Sequence, residues 1–226
     1  PFDFISVAGD NYYATVKSVP EPSNPDKLDV YKYYNEEKLM SGFNCLPKNI
    51  KKYLIFGNKE IDSKYNSIKD NSSLDKCVSL NKMLETYSLM ESEFSIFDDI
   101  MYIANLEDDI KQLVIFIDTT MYDFDISSPV SETCYKHLFT EFQKTRKNLT
   151  LKDLIEYQNT MIQNLIAFYS GSVKNIIIIG HHPLIGIKAS TTKPMARSFL
   201  KLIKLFEKLS PLLMGFKNPI NVYYLC

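Results

Sequence analysis

The sequence predicts a layered α/β fold, and three observations carry that expectation. Short, largely apolar runs recur at Lys52-Tyr53-Leu54-Ile55-Phe56, Leu113-Val114-Ile115-Phe116-Ile117 and Asn175-Ile176-Ile177-Ile178-Ile179. Strands apolar along their length have no face for water, so they are covered on both sides, by helices or by a second sheet. Apolar residues at helical spacing stand immediately before the last of these runs and again beyond it. Glycine is scarce, 7 of 226 residues, yet three of the seven directly follow expected strands.

Taken in order, Phe2 to Ala8 reads as a buried strand already under way, so the chain is expected to begin inside a domain. Lys52 to Phe56 is closed by Gly57, a strand with a sharp turn after it. From about residue 62 to 109 the chain is polar, with acidic clusters at Glu91-Ser92-Glu93 and Asp98-Asp99 and no clear period. An insertion or a cap over the site is expected there. The next strand is Leu113 to Ile117. Thr150-Leu151-Lys152-Asp153 has the form of a helix N-cap with an acidic residue three positions on, and Leu151, Leu154, Ile155, Met161, Ile162 and Leu165 continue at helical spacing. That helix feeds the Asn175 to Ile179 strand. Pro194 suits a helix start, and Phe199, Leu202, Ile203, Phe206 and Leu209 form an apolar stripe that ends near Ser210-Pro211. The opposite face, with Arg197, Lys201, Lys204 and Lys208, reads as solvated. Val222 to Cys226 has strand character with no turn after it, so the chain is expected to end inside a domain as well.

Length and composition narrow the function classes. At a common scale of about 150 residues per domain, one large domain over residues 1–226 is expected. A chain with 45% hydrophobic and 23% charged residues is globular, not disordered. With 26 basic against 27 acidic side chains, a net charge of −1 gives no general attraction to phosphate backbones. Only Arg146 and Arg197 are arginines, which argues against bidentate base readout, so nucleic acid is not an expected partner. No apolar run approaches the length of about 18 residues that a bilayer span requires, so no membrane span is expected. Cys45, Cys77, Cys134 and Cys226 lie far apart without finger or redox spacing, and no charged-then-apolar leader opens the chain. A reducing, cytoplasmic setting is expected. The excess of Lys, Asn, Ile and Tyr over Arg, Ala and Gly is associated with AT-rich coding, as in some protists and large DNA viruses; in the viral case the setting would be host cytoplasm or virion. There is no GxSxG elbow, GxxxxGK[ST] phosphate loop, GxGxxG turn or HExxH helix, so serine hydrolase, P-loop, dinucleotide and zincin chemistry lack support.

The three glycine turns are where chemistry is expected. Gly9 opens Gly9-Asp10-Asn11-Tyr12-Tyr13, Gly57 opens Gly57-Asn58-Lys59-Glu60, and Gly180 opens Gly180-His181-His182-Pro183. Loops beyond the carboxyl ends of strands converge on one edge in layered α/β folds, held there by the sheet. Singly, each has an ordinary explanation: Asp10-Asn11 as a turn, Asn58 as a left-handed position, His181-His182 as the close of a strand before Pro183. Together they gather carboxylate and amide oxygens with imidazole nitrogen, a mixed O/N set suited to Mn, Fe or Zn.

This order of motifs resembles the calcineurin-like metallophosphoesterases, and GDNYY at residues 9 to 13 is closest to the GDxxY of the purple acid phosphatase branch. Phe116-Ile117-Asp118-Thr119 is similar to that family's central strand and turn, and Tyr223-Tyr224-Leu225-Cys226 to the strand leading into its last motif. The resemblance implies an α/β/β/α sandwich and a dinuclear centre of two divalent or trivalent metal ions. It implies Asp10 as the bridging carboxylate, Asn58 and His181 as ligands of one metal, and Tyr13 as the tyrosinate that binds ferric iron in the purple branch. His182 would be a neighbour without a ligand role, and Asp118 a turn anchor. The substrate implied is a phosphate ester, as a small molecule or a phosphoprotein.

The sequence departs from the family pattern in three places. The opening aspartate motif and the closing GHxH are not within these residues, so the sandwich is expected to be truncated at both ends. Lys59 stands where GNH(D/E) places a histidine, the proton donor or transition-state stabiliser. Losing a general acid costs about 10²- to 10⁴-fold in rate, and a lysine of ordinary pKa near 10.4 is a poor donor at neutral pH. Two expectations compete: a phosphoesterase of altered activity with Lys59 at the catalytic position, or a non-catalytic descendant with a structural or scaffolding role, as in a viral particle.

Overall fold

Aliphatic and aromatic runs become the central strands of a mixed α/β fold, as the sequence predicts. The computed structural model describes residues 3–9, 15–21, 23–33, 36–57, 84–86, 93–107, 109–123, 127, 129–130, 134–182 and 220–226. The chain divides into two compact units, Pro1–Ile96 and Phe97–Cys226.

In the first unit, strands β1 (Phe4–Ala8), β4 (Lys51–Ile55) and β5 (Phe94–Ile96) form a parallel sheet in the order β1-β4-β5. Leu54, Ile55 and Phe56 are buried, the two-sided covering that an all-apolar strand requires. Lys52, at the start of that run, is also buried. Its ammonium lies 3.3 Å from a Glu93 carboxylate oxygen and 5.3 Å from the centre of the Phe94 ring, so the charge is paired rather than bare. Helix α1 (Glu36–Phe43) buries Leu39 and Phe43, with Phe43 edge-on to Phe94 at 5.5 Å.

An antiparallel hairpin, β2 (Thr15–Glu21) and β3 (Asn24–Tyr33), completes this unit's described strands. The sequence does not announce it. Pro20 and Pro25 read as strand breakers, and the ladder accommodates the first with a register shift at Pro20/Glu21, a position where a missing N–H is tolerated. Strand β5 and the following strand fall in the segment read as a polar insertion or cap. Three residues are too few to show a period, and the acidic pairs beside them mask both strands.

In the second unit, β6 (Met101–Asn105), β7 (Gln112–Phe116), β8 (Asn175–Ile179) and β9 (Asn221–Leu225) form a sheet in that order, with β6 antiparallel and the other three parallel. Helix α2 (Thr140–Thr145) is followed by helix α3 (Leu151–Tyr169), which lies in the crossover from β7 to β8. The N-terminus of α3 is closed as the sequence predicts: the Asp153 carboxylate accepts from the Thr150 backbone N–H at 2.7 Å and from the Thr150 hydroxyl. Those bonds hold the Asp153 pKa below the usual carboxylate range. Its apolar stripe packs Ile162 and Ile166 against Leu113, Ile115, Ile176 and Ile178. Each such side chain contributes roughly 1.5–3 kcal/mol on burial, so this face sets the height of α3 over the sheet. The helix expected from Pro194 lies outside the described residues. Among the described residues no helix is long and apolar enough to cross a membrane.

Candidate functional site

Parallel β7, β8 and β9 end on one edge, and the polar chemistry of the second unit collects there. Pairing continues one step past β7, where the Ile117 N–H donates to the Ile179 carbonyl at 2.9 Å. Asp118, Thr119 and Thr120 then leave the sheet while still buried. With no further strand partner, the backbone of Asp118 is satisfied by a side chain. Gln158, buried on α3, accepts the Asp118 N–H at 2.9 Å and donates to the Asp118 carbonyl at 3.0 Å. The helix therefore fixes the strand end through one amide.

The Asp118 side chain folds back on the turn. Its Oδ1 accepts from the Thr120 N–H at 2.7 Å and from the Thr120 hydroxyl, the turn-anchoring expected of it. Its Oδ2 is buried with no hydrogen-bond partner. Burial pushes the Asp118 pKa up to about 6, only partly offset by the Thr120 bonds, the Met121 amide and the nearby His182 imidazole. Beside it, Tyr122 donates to Asn159 Oδ1 at 2.9 Å, and burial raises its phenol well above the ordinary value.

Thr119 reaches sideways to the end of β8. Its Oγ1 accepts from the N–H of His181 at 3.1 Å and of His182 at 3.0 Å, and lies 2.9 Å from His182 Nδ1. From the other side, the Tyr224 hydroxyl of β9 donates to the His182 carbonyl at 2.6 Å. Burial raises the Tyr224 pKa, so this hydroxyl stays protonated. Gly180 makes the approach possible: a Cβ there would run into the Tyr224 hydroxyl and come within 2.7 Å of Thr119 Cγ2. Both imidazoles are half-buried, edge to face with 4.8 Å between ring centres.

Of the residues the sequence nominates, His181 is the one placed, on the turn that leaves β8. Asp10, Tyr13, Asn58 and Lys59 lie outside the described residues. The strands that lead to them are described. β1 and β4 are parallel neighbours with Ala8 opposite Ile55, so both chain segments depart from the same sheet edge. Gly9, directly after β1, has a φ of 88°, a backbone region that favours glycine. Among the described residues no group of three or more His, Cys, Asp or Glu is placed to hold a metal ion. A half-buried imidazole at a rigid strand end fits a borderline cation as one ligand of a set.

Sequence reasoning did not single out Gln158, Thr119 or Tyr224 as a support for this turn. Gln158 carried a signal, a polar residue on the face of α3 that otherwise buries Leu151, Leu154, Ile155 and Ile162. The pairing of Thr119 and Tyr224 depends on strand order, which no local pattern encodes. Compared with models of known protein families and with curated proteins, the chain matches none.

Proposed function

We propose that the protein is a metal-dependent phosphoesterase of the calcineurin-like kind, closest to the purple acid phosphatases and built as an α/β/β/α sandwich. One observation carries the reading: Gly9, Gly57 and Gly180, the glycines that open the three motifs, all stand at the carboxyl ends of parallel strands, β1, β4 and β8. That is where a layered α/β fold keeps its binding residues.

In this reading Asp10, Asn58 and His181 would hold the cations, and Tyr13 would supply a phenolate to iron. When bound, the cations supply an acidified water and positive charge to offset that developing on the phosphoryl oxygens. The chain's own task is to hold those ligands rigidly and to orient a phosphate ester, small or on a protein. Lys59, a point charge with three donors, attracts the phosphate but is a weak proton donor, so esters with good leaving groups are turned over best.

Lys59 also favours a second reading, a phosphoesterase-fold protein with a structural or scaffolding role. The two are separated by loading the full-length protein with manganese, iron or zinc, measuring metal content, and assaying an aryl phosphomonoester. Metal uptake with hydrolysis supports the enzyme. Uptake with background hydrolysis that Lys59→His raises by about 10²-fold or more assigns the loss to one residue. Failure to take up any of the three metals overturns the phosphoesterase reading.

A further inference from the structure

The turn that carries His181 and His182 is gripped from both neighbouring strands. A hydroxyl has one proton to donate and two lone pairs to accept with. Thr119 Oγ1 spends both lone pairs on consecutive amides, those of His181 and His182, at 3.1 and 3.0 Å. Its proton is then left for His182 Nδ1 at 2.9 Å, an arrangement in which Nδ1 is the acceptor. Two adjacent N–H groups aimed at one atom fix the backbone dihedrals between them, and with them the direction in which His181 leaves the chain. On the far side the Tyr224 hydroxyl ties down the His182 carbonyl at 2.6 Å. Gly180 leaves the room in which Thr119 and Tyr224 close on the turn, since a Cβ there would meet the Tyr224 hydroxyl and the Thr119 methyl. A threonine serving only to fill space or to end β7 would need none of these three bonds.

We propose that Thr119 and Tyr224 are positioning residues, a clamp that presets the His181 turn for metal binding and makes His182 Nδ1 the acceptor of the Thr119 hydroxyl proton. The metal half of this statement rests on the phosphoesterase reading; the clamp and the acceptor role of Nδ1 do not.

The test uses the full-length protein and three variants, Thr119→Val, which keeps the shape but not the hydroxyl, Thr119→Ser, which keeps the hydroxyl, and Tyr224→Phe. Ring nitrogen chemical shifts at pH 8 report the tautomer of His182, and competition against a chelator reports zinc affinity. The wild type and Thr119→Ser are expected to show a protonated Nε2 and a bare Nδ1, and Thr119→Val a mixture of tautomers. Zinc affinity is expected to fall about 10- to 100-fold in Thr119→Val and Tyr224→Phe, the usual cost of losing an outer support, and to be retained in Thr119→Ser. A Thr119→Val protein that keeps the wild-type tautomer overturns the clamp, as does a wild type that shows hydrogen on Nδ1. Should Thr119→Val fail to fold, that wild-type spectrum and the Thr119→Ser rescue still decide. A wild type that takes up no zinc but shows the expected tautomer, lost in Thr119→Val, removes the metal half and leaves the clamp standing.

Discussion

Asp118 shows how one buried carboxyl couples stability to pH. In the unfolded chain an aspartate titrates near 3.9. Folded, this one is raised to about 6, chiefly because burial disfavours its charge. Between those values the folded state holds a proton that the unfolded state has released, so stability falls as pH rises from about 4 to 6, by up to roughly 3 kcal/mol from this group. Below that window its effect is absent, and above it the loss is complete. Asp118→Asn keeps an Oδ1 acceptor for Thr120 and places its amide nitrogen where Oδ2 has no partner. The downward slope should therefore vanish in the variant. Urea unfolding of both proteins across pH 4 to 8 checks it, and parallel curves would refute the raised carboxyl. The resemblance to the phosphoesterases implied Asp118 as a turn anchor. It could not mark the shifted pKa, which comes from burial by segments distant in sequence.

At the level of elements, the legible parts were those whose code is local. The capping box at Thr150 to Asp153 and the apolar stripe of α3 announce that helix, and the runs ending at Gly57 and Gly180 announce their strands. The β2-β3 hairpin was hidden by its prolines, and β5 and β6 by their length and acidic surroundings. Gln158 lies between these cases, visible as an oddity in the stripe but explicable only once β7 is seen to end beneath it. Replacing it by leucine would strand the N–H and carbonyl of Asp118 in a buried place. Each orphaned group costs about 1–3 kcal/mol, so Gln158→Leu should destabilise by roughly 2–6 kcal/mol. A methyl deletion on the same helix, Ile162→Val, should cost about 0.5–1.5 kcal/mol. Denaturant midpoints compare the two. A Gln158→Leu effect no larger than that of Ile162→Val would mean that the strand end finds other partners.

For the molecule as a whole, the strand runs and glycine turns made a mixed α/β architecture readable, because both reflect how a sheet is covered and where it ends. What they leave unread is long-range: which strands are neighbours, which side chains from β9 and from the end of β7 brace the tip of β8, and which from α3 holds the end of β7. The same distinction governs the metal proposal, since ligand types can be read locally but their meeting cannot. Thermodynamic linkage gives a test that needs no substrate. A cation that binds the folded state and not the unfolded one stabilises it by about 2.7 kcal/mol at a free concentration 100 times its dissociation constant. For a protein of this size 1 kcal/mol moves the melting temperature by about 2–4 °C, so saturation with zinc or manganese should raise it by roughly 5–11 °C, and a chelator should reverse the rise. His181→Ala removes the imidazole but leaves the backbone N–H that Thr119 holds, so its metal-free melting temperature should stay close to wild type while the metal-induced rise shrinks. Differential scanning calorimetry of both proteins with metal and with chelator reads all four values. A rise that survives intact in His181→Ala would place the bound cation somewhere other than the end of β8.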